Sequence, residues 1–143
     1  MHYLAAGQYT HLAGEINALY HEAAVKMGIS DSVQNILYVL SERGGTCPQS
    51  EISKLTGISR QTINSAIRKL EAEGLACLKK GRGRTTVLFL TEKGKQFSLE
   101  KVSFLHEIEN KIWNEWTAEE QRQYLTLTTQ YRDRLKQYLE AVL

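Results

Sequence analysis

Apolar residues recur at helical spacing along most of this chain. From Tyr3 to Met27, the residues Leu4, Leu12, Ile16, Leu19, Tyr20, Ala23 and Ala24 fit a helix with one apolar side, closed by Gly28. Ser30 or Asp31 can cap the next helix, whose Val33, Ile36, Leu37, Val39 and Leu40 line a core face before Gly44 and Gly45 break it. Pro48 stands where a helix can begin, and Thr46 with Gln49 fits a capping box. Ile52, Leu55 and Ile58 then make a short apolar face punctuated by Gly57. Ser59 is a natural N-cap for the following helix, in which Ile63, Ala66, Ile67 and Leu70 fall at i, i+3, i+4 and i+7, up to Gly74.

One stretch departs from this period. Leu75 to Leu78 is a short apolar segment, Lys79-Lys80-Gly81-Arg82-Gly83-Arg84 is a basic, glycine-rich tip, and Thr85 to Leu90 is rich in β-branched and aromatic residues. That is the pattern of strand, turn and strand. Thr91 can cap a helix running through Phe97, Val102, Leu105, Ile108, Ile112 and Trp116. Thr117-Ala118-Glu119-Glu120 is a capping box for a last helix, whose Tyr124, Leu127, Thr128, Tyr131, Leu135, Tyr138 and Val142 alternate by three and four. The pattern predicts a mainly α chain with one small β-hairpin.

The apolar stripe of the Ser59 to Glu73 helix leaves Arg60, Gln61, Asn64, Ser65 and Arg68 on its opposite side. Amides, hydroxyls and guanidinium groups are the types that bond base edges and phosphates. Most polar helix faces are simply solvated, but this one holds no carboxylate before Glu71 and comes after a short glycine-containing turn from another helix. Charge separates these readings. The formal net charge of +2 is unremarkable, yet residues 48–90 hold eight Lys or Arg against three Glu, while the rest of the chain holds ten against thirteen. A cationic hairpin behind a helix-turn-helix points to a phosphate-lined groove.

The order helix, helix, basic hairpin, then Leu90-Thr91-Glu92-Lys93-Gly94 opening a long helix resembles the MarR family of winged-helix transcriptional regulators. Wings of that family usually carry Asp-x-Arg six residues before the Leu-Thr pair. Here Arg84 stands in the arginine place and Arg82 in that of the aspartate, in a short wing. The resemblance implies a winged helix-turn-helix over 30–91, flanked by dimerisation helices over 1–28 and 92–143, as one domain. It implies a homodimeric, repressor-like regulator on a palindromic operator of double-stranded DNA, with two readers about one helical turn apart.

On that reading Ser59, Arg60, Gln61, Thr62, Asn64 and Ser65 lie nearest to bases or flanking phosphates, and Gln49, Arg68 and Lys69 are placed for backbone. Lys79, Lys80, Arg82, Arg84 and Thr85 are the wing contacts. Members of the family often bind small aromatic or phenolic molecules between the dimerisation helices and the winged region, which makes a small aromatic effector a candidate partner and Tyr9, Tyr20, Tyr38, Trp113 and Trp116 candidate pocket residues. An aromatic at helical spacing is more often core.

Other chemistry finds no support. There is no GxSxG, no Walker loop and no GxGxxG after a strand, so neither catalysis nor a cofactor is expected. His2, His11, His21 and His106 lack ligand spacing, and no metal is expected. Cys47 and Cys77 lack a CxxC arrangement and point to reduced thiols and a cytoplasmic location, with no apolar run of bilayer length. Cys47 stands at the start of a helix, where an N-terminus can lower a thiol pKa and so couple oxidation to DNA release; most lone cysteines are instead inert and buried, and the family's peroxide sensors keep their reactive cysteine in the first helix, where this chain has none. The alternative from a different class is a winged-helix protein-interaction module, which an acidic or apolar reader face would have favoured.

Overall fold

The computed structural model describes the backbone from Tyr3 to Leu143 and side chains from Ala5 onward. Leu4 of the expected apolar stripe and His2 therefore lie outside the described side chains. The elements run α1 (Tyr3–Met27), α2 (Asp31–Glu42), β1 (Thr46–Pro48), α3 (Gln49–Thr56), α4 (Arg60–Ala72), β2 (Ala76–Lys80), β3 (Thr86–Leu90), α5 (Glu92–Lys101), α6 (Ser103–Asn114) and α7 (Ala118–Val142). Two compact units divide the chain, Met1–Phe104 and Leu105–Leu143. This mainly α fold with a small antiparallel sheet is the winged-helix architecture that the resemblance implies.

In the first unit α2 is the hub. Its Val33, Ile36, Leu37, Val39 and Leu40 are all buried, and it packs against α3, α4 and α5. Ser30 caps it, the hydroxyl accepting from Val33 N at 3.1 Å. The α4 stripe of Ile63, Ala66, Ile67 and Leu70 is buried against this hub as expected, and Ser59 caps α4 through Thr62 N at 3.3 Å. Burying a side chain of this size is worth roughly 1.5–3 kcal/mol, so the stripe orients α4 firmly and leaves its polar side outward. On α3, Ile52 is fully buried, but Leu55 is exposed. Three residues place Leu55 about 60° round the helix from Ile52, on the flank.

The sheet has the order β1-β3-β2, with β3 central. Ala76 pairs with Leu90 and Lys80 with Thr86, so the hairpin is paired through both lysines. Its far edge holds a strand that local pattern did not show: Thr46, Cys47 and Pro48 pair with Phe89, Leu88 and Val87. The expected Thr46 and Gln49 capping box is consequently absent. Thr46 belongs to the ladder, Pro48 is the N-cap of α3, and no side chain caps it. Proline suits this edge, where its missing donor costs nothing.

Thr91 joins the hairpin to α5. Its hydroxyl accepts from Gly94 N at 3.0 Å, capping the helix, and donates to the Gly74 carbonyl at 2.7 Å. Lys93 adds a bond from its ammonium to the Glu73 carbonyl at 3.0 Å. The continuous helix expected from Thr91 to Trp116 breaks at Val102, between α5 and α6. No glycine or proline marks the site. The Ser103 hydroxyl donates back to the Leu99 carbonyl, a local bond that bends helices, and Val102 is drawn fully into the core.

α1 commits only its C-terminal end to this unit. Ala24 is buried and Lys101 donates to the Met27 carbonyl at 3.0 Å, whereas Leu12, Ile16, Leu19 and Val25 are exposed. The second unit carries α7, which opens on the predicted capping box: Glu120 N donates to Thr117 Oγ1 at 3.1 Å and Thr117 N to the Glu120 carboxylate at 2.8 Å. No residue of α7 is buried, although Tyr124, Leu127, Tyr131, Leu135, Tyr138 and Val142 line it at helical spacing.

Candidate nucleic-acid interface

The site begins with what the α4 stripe forces. With Ile63 and Ile67 in the core, Arg60, Gln61, Asn64, Ser65 and Arg68 are turned to solvent, as are Thr62 and Lys69. Several are already ordered by one another. Ser59 donates to the Thr62 hydroxyl at 2.9 Å, Ser65 to the Gln61 carbonyl at 3.1 Å, and Arg68 to the Ser65 hydroxyl at 3.3 Å.

The hairpin supplies the second wall. Gly81 N donates to the Thr85 carbonyl at 2.7 Å and Thr85 N to the Arg82 carbonyl at 3.3 Å, which closes a tight tip. Gly83 takes φ +65° there, a conformation costly for any residue with a Cβ. The turn thus needs glycine between two arginines, and holds Arg82 and Arg84 exposed. Lys79 lies 5.3 Å over the Phe89 ring, so one wing cation is steadied from below.

Between these walls runs a groove of about 510 Å³ lined by Gln49, Ser50 and Ser53 of α3, by Arg60, Ile63 and Asn64 of α4, and by Arg84, Thr85 and Thr86 of the hairpin. It brings together five of the residues singled out from the sequence: Gln49, Arg60, Asn64, Arg84 and Thr85. The remaining nine, namely Ser59, Gln61, Thr62, Ser65, Arg68, Lys69, Lys79, Lys80 and Arg82, are exposed around it without lining it. Ser50, Ser53 and Thr86 are lining residues that sequence reasoning missed. Ser50 and Ser53 stand at i and i+3 on the side of α3 away from Ile52, and that spacing was a usable signal.

No carboxylate lines the groove. Glu51, the acidic residue of α3, is held by Arg43 at 2.6 Å. Across the groove, Gln49 Nε2 donates to Asn64 Oδ1 at 2.9 Å, tying α3 to α4 through two side-chain amides. The arrangement presents guanidinium, amide and hydroxyl donors to one concave surface, suited to a polyanion and to the edges of bases.

The cysteines behave otherwise than their position suggested. Burial pushes the Cys47 thiol up, and the charge of Arg43 only partly offsets this. Cys47 is wholly buried in β1, with its thiol near the Pro48 carbonyl, as most lone cysteines are, and the helix N-terminus does not lower its pKa. Cys77, on β2, is also free. Among the described residues no group of histidine, cysteine and carboxylate side chains is placed to hold a metal ion. Trp113 and Trp116 pack on each other at 5.3 Å, and Trp116 on Tyr124 at 5.1 Å, at the α6 to α7 corner. No described helix is long and apolar enough to cross a membrane.

Known proteins resemble this chain in the segment 27–83 and in the fold. A model of the MarR family matches residues 27–83. The fold is that of a MarR family regulator from Neisseria meningitidis, with a TM-score of 0.84 at 16% identity over 96% of this chain and 97% of that one. A MarR/EmrR family transcriptional regulator from Acinetobacter sp. ADP1 is similar at 25% identity, with a TM-score of 0.72 over 93% of this chain and 95% of that one. The MepR protein of S. aureus, solved in complex with DNA, shares the fold at a TM-score of 0.66 and 18% identity, over 91% and 96% of the two chains. No curated protein sequence matches.

Proposed function

We propose that this chain, a winged-helix protein by its fold, belongs to the MarR family whose model its segment 27–83 matches, and is a sequence-specific DNA-binding transcriptional regulator acting as a homodimeric repressor. The observation that carries this is the groove in which Arg60 and Asn64 of α4 face Arg84 and Thr85 of the hairpin with no carboxylate among them. α4 enters the major groove, with Arg60, Gln61, Thr62, Asn64 and Ser65 towards bases or their flanking phosphates. Arg68 and Lys69 hold backbone, and Lys79, Lys80, Arg82 and Arg84 hold the phosphates beside the wing, with one arginine in the minor groove, where a narrow groove concentrates negative potential.

A homodimer is supported by the exposed apolar rows on α1 and α7, which a lone chain in water has reason to cover. Domain organisation is then assigned accordingly: 30–91 reads DNA, while 1–28 and 92–143 serve dimerisation. A two-fold axis sets two α4 helices against the halves of a palindrome.

Release by a small aromatic effector fits a cavity of about 270 Å³ in the first unit, where Leu19, Ala23, Met27 and Phe104 give apolar walls beside the ion-paired Lys26 and Glu22. Such an effector acts only as far as it binds the DNA-competent and incompetent forms unequally.

Selection of bound sites from random duplex DNA tests the reading. Recovery of a palindromic consensus, bound in a salt-dependent way, is expected; no salt-sensitive binding to any duplex would refute the proposal.

A further inference from the structure

We propose that Gln49 is a positioning residue for Asn64, and that the pair makes one step of the recognised sequence an adenine. The inference rests on the DNA-reading role of α4 and deepens it. Gln49 is the first residue of α3 and Asn64 lies in the second turn of α4. Their amides meet at 2.9 Å, Nε2 of Gln49 donating to Oδ1 of Asn64, inside the groove that Arg60 and Arg84 also line.

An asparagine alone on an exposed helix face rotates freely and can show a donor or an acceptor to a base. Two amides can bond in either sense; in the sense seen here, Gln49 Nε2 to Asn64 Oδ1, the hydrogen bond ties down the Asn64 amide. It uses one of the two lone pairs of Oδ1, and leaves the other beside both hydrogens of Nδ2. A donor and an acceptor side by side match the major-groove edge of adenine, which offers N7 as acceptor and the N6 amino group as donor. Guanine offers two acceptors on that edge, N7 and O6, and sets O6 against Oδ1. Gln49 is half-buried and reaches Asn64 from a different helix, so the orientation is fixed before DNA arrives. This lowers the ordering cost of the contact. The sequence assigned Gln49 to DNA backbone; its bond to Asn64 gives it a share in base choice.

The test compares wild type, Gln49→Leu, Gln49→Met, Asn64→Ala and the Gln49→Leu/Asn64→Ala double variant, with folding checked by circular dichroism. Each is titrated with the selected duplex, with duplexes changed at single base pairs, and with 7-deazaadenine at each adenine in turn. Wild type should favour adenine at one step of each half-site by about 5- to 150-fold, and lose a similar factor when that adenine lacks N7. Asn64→Ala and both Gln49 variants should lose this preference at the same step, the double variant losing no more than Asn64→Ala alone. Asn64→Ala should not respond to 7-deazaadenine there.

If either folded Gln49 variant keeps the adenine preference, even while weakening all duplexes alike, Gln49 contacts backbone only and the proposal is wrong. Wild type that binds duplex DNA without adenine at the Asn64 step also overturns it, leaving the regulator reading intact. Wild type with no salt-sensitive duplex binding removes both.

Discussion

Gly94 lies hard against Leu75: a Cβ on Gly94 would stand 1.8 Å from the Leu75 carbonyl oxygen. The contact is between the first turn of α5 and the segment that leads from α4 into β2, and the bonds of Thr91 to Gly74 and of Lys93 to Glu73 fasten it. The Leu-Thr-Glu-Lys-Gly run is therefore a clasp that seats α5 on the end of α4. Gly94→Ala forces backbone apart, and overpacking of this kind costs typically about 1–3 kcal/mol. Chemical denaturation of Gly94→Ala should show a loss at the upper end of that range. An unchanged midpoint would mean that the clasp yields freely.

Arg84 predicts a different signature. It is exposed at the hairpin tip and lines the groove, and a phosphate contact there is blind to sequence. Arg84→Ala should weaken binding to cognate and random duplexes by the same factor, and reduce the slope of log K against log salt by about 0.9. Unaltered affinity and slope would take the hairpin out of the interface.

The apolar row of α7 bears on assembly. Leu127 is 63% and Tyr138 62% exposed in the single chain. Light scattering after size exclusion should give twice the chain mass at micromolar concentration, and Leu135→Glu with Tyr138→Glu should give the single mass and abolish binding to a palindrome. A wild-type monomer at that concentration would contradict the dimer.

Cys47 predicts a pH dependence. Burial raises its pKa, so the neutral thiol is favoured in the fold. Its contribution to stability is full below the ordinary thiol range and declines as pH rises through the raised value. Cys47 should react with a disulfide reagent far more slowly in the native protein than in the denatured chain, with Cys77 reacting first. Operator affinity should survive peroxide. Rapid native labelling of Cys47 would show that β1 opens readily.

The elements themselves were legible wherever their cause is local. Ser30, Ser59, Thr91 and Thr117 each cap the helix they precede. The Ile63, Ala66, Ile67 and Leu70 stripe is buried, and the hairpin stands where β-branched residues flank the basic tip. Periodicity and caps act within one or two turns, and residue order carries that information directly.

Relationships between distant parts of the chain were not legible. β1 exists only because β3, some forty residues later, offers its edge, and that pairing both cancels the Thr46 cap and buries Cys47. The break at Val102 carries no glycine or proline. The bond between Gln49 and Asn64, and the entry of Ser50, Ser53 and Thr86 into one groove, depend on how α3, α4 and the hairpin pack. Sequence alone determined which side chains share a face, because a face is set by the helix period. The tertiary structure decided which faces meet, because that depends on packing between segments that no local period relates.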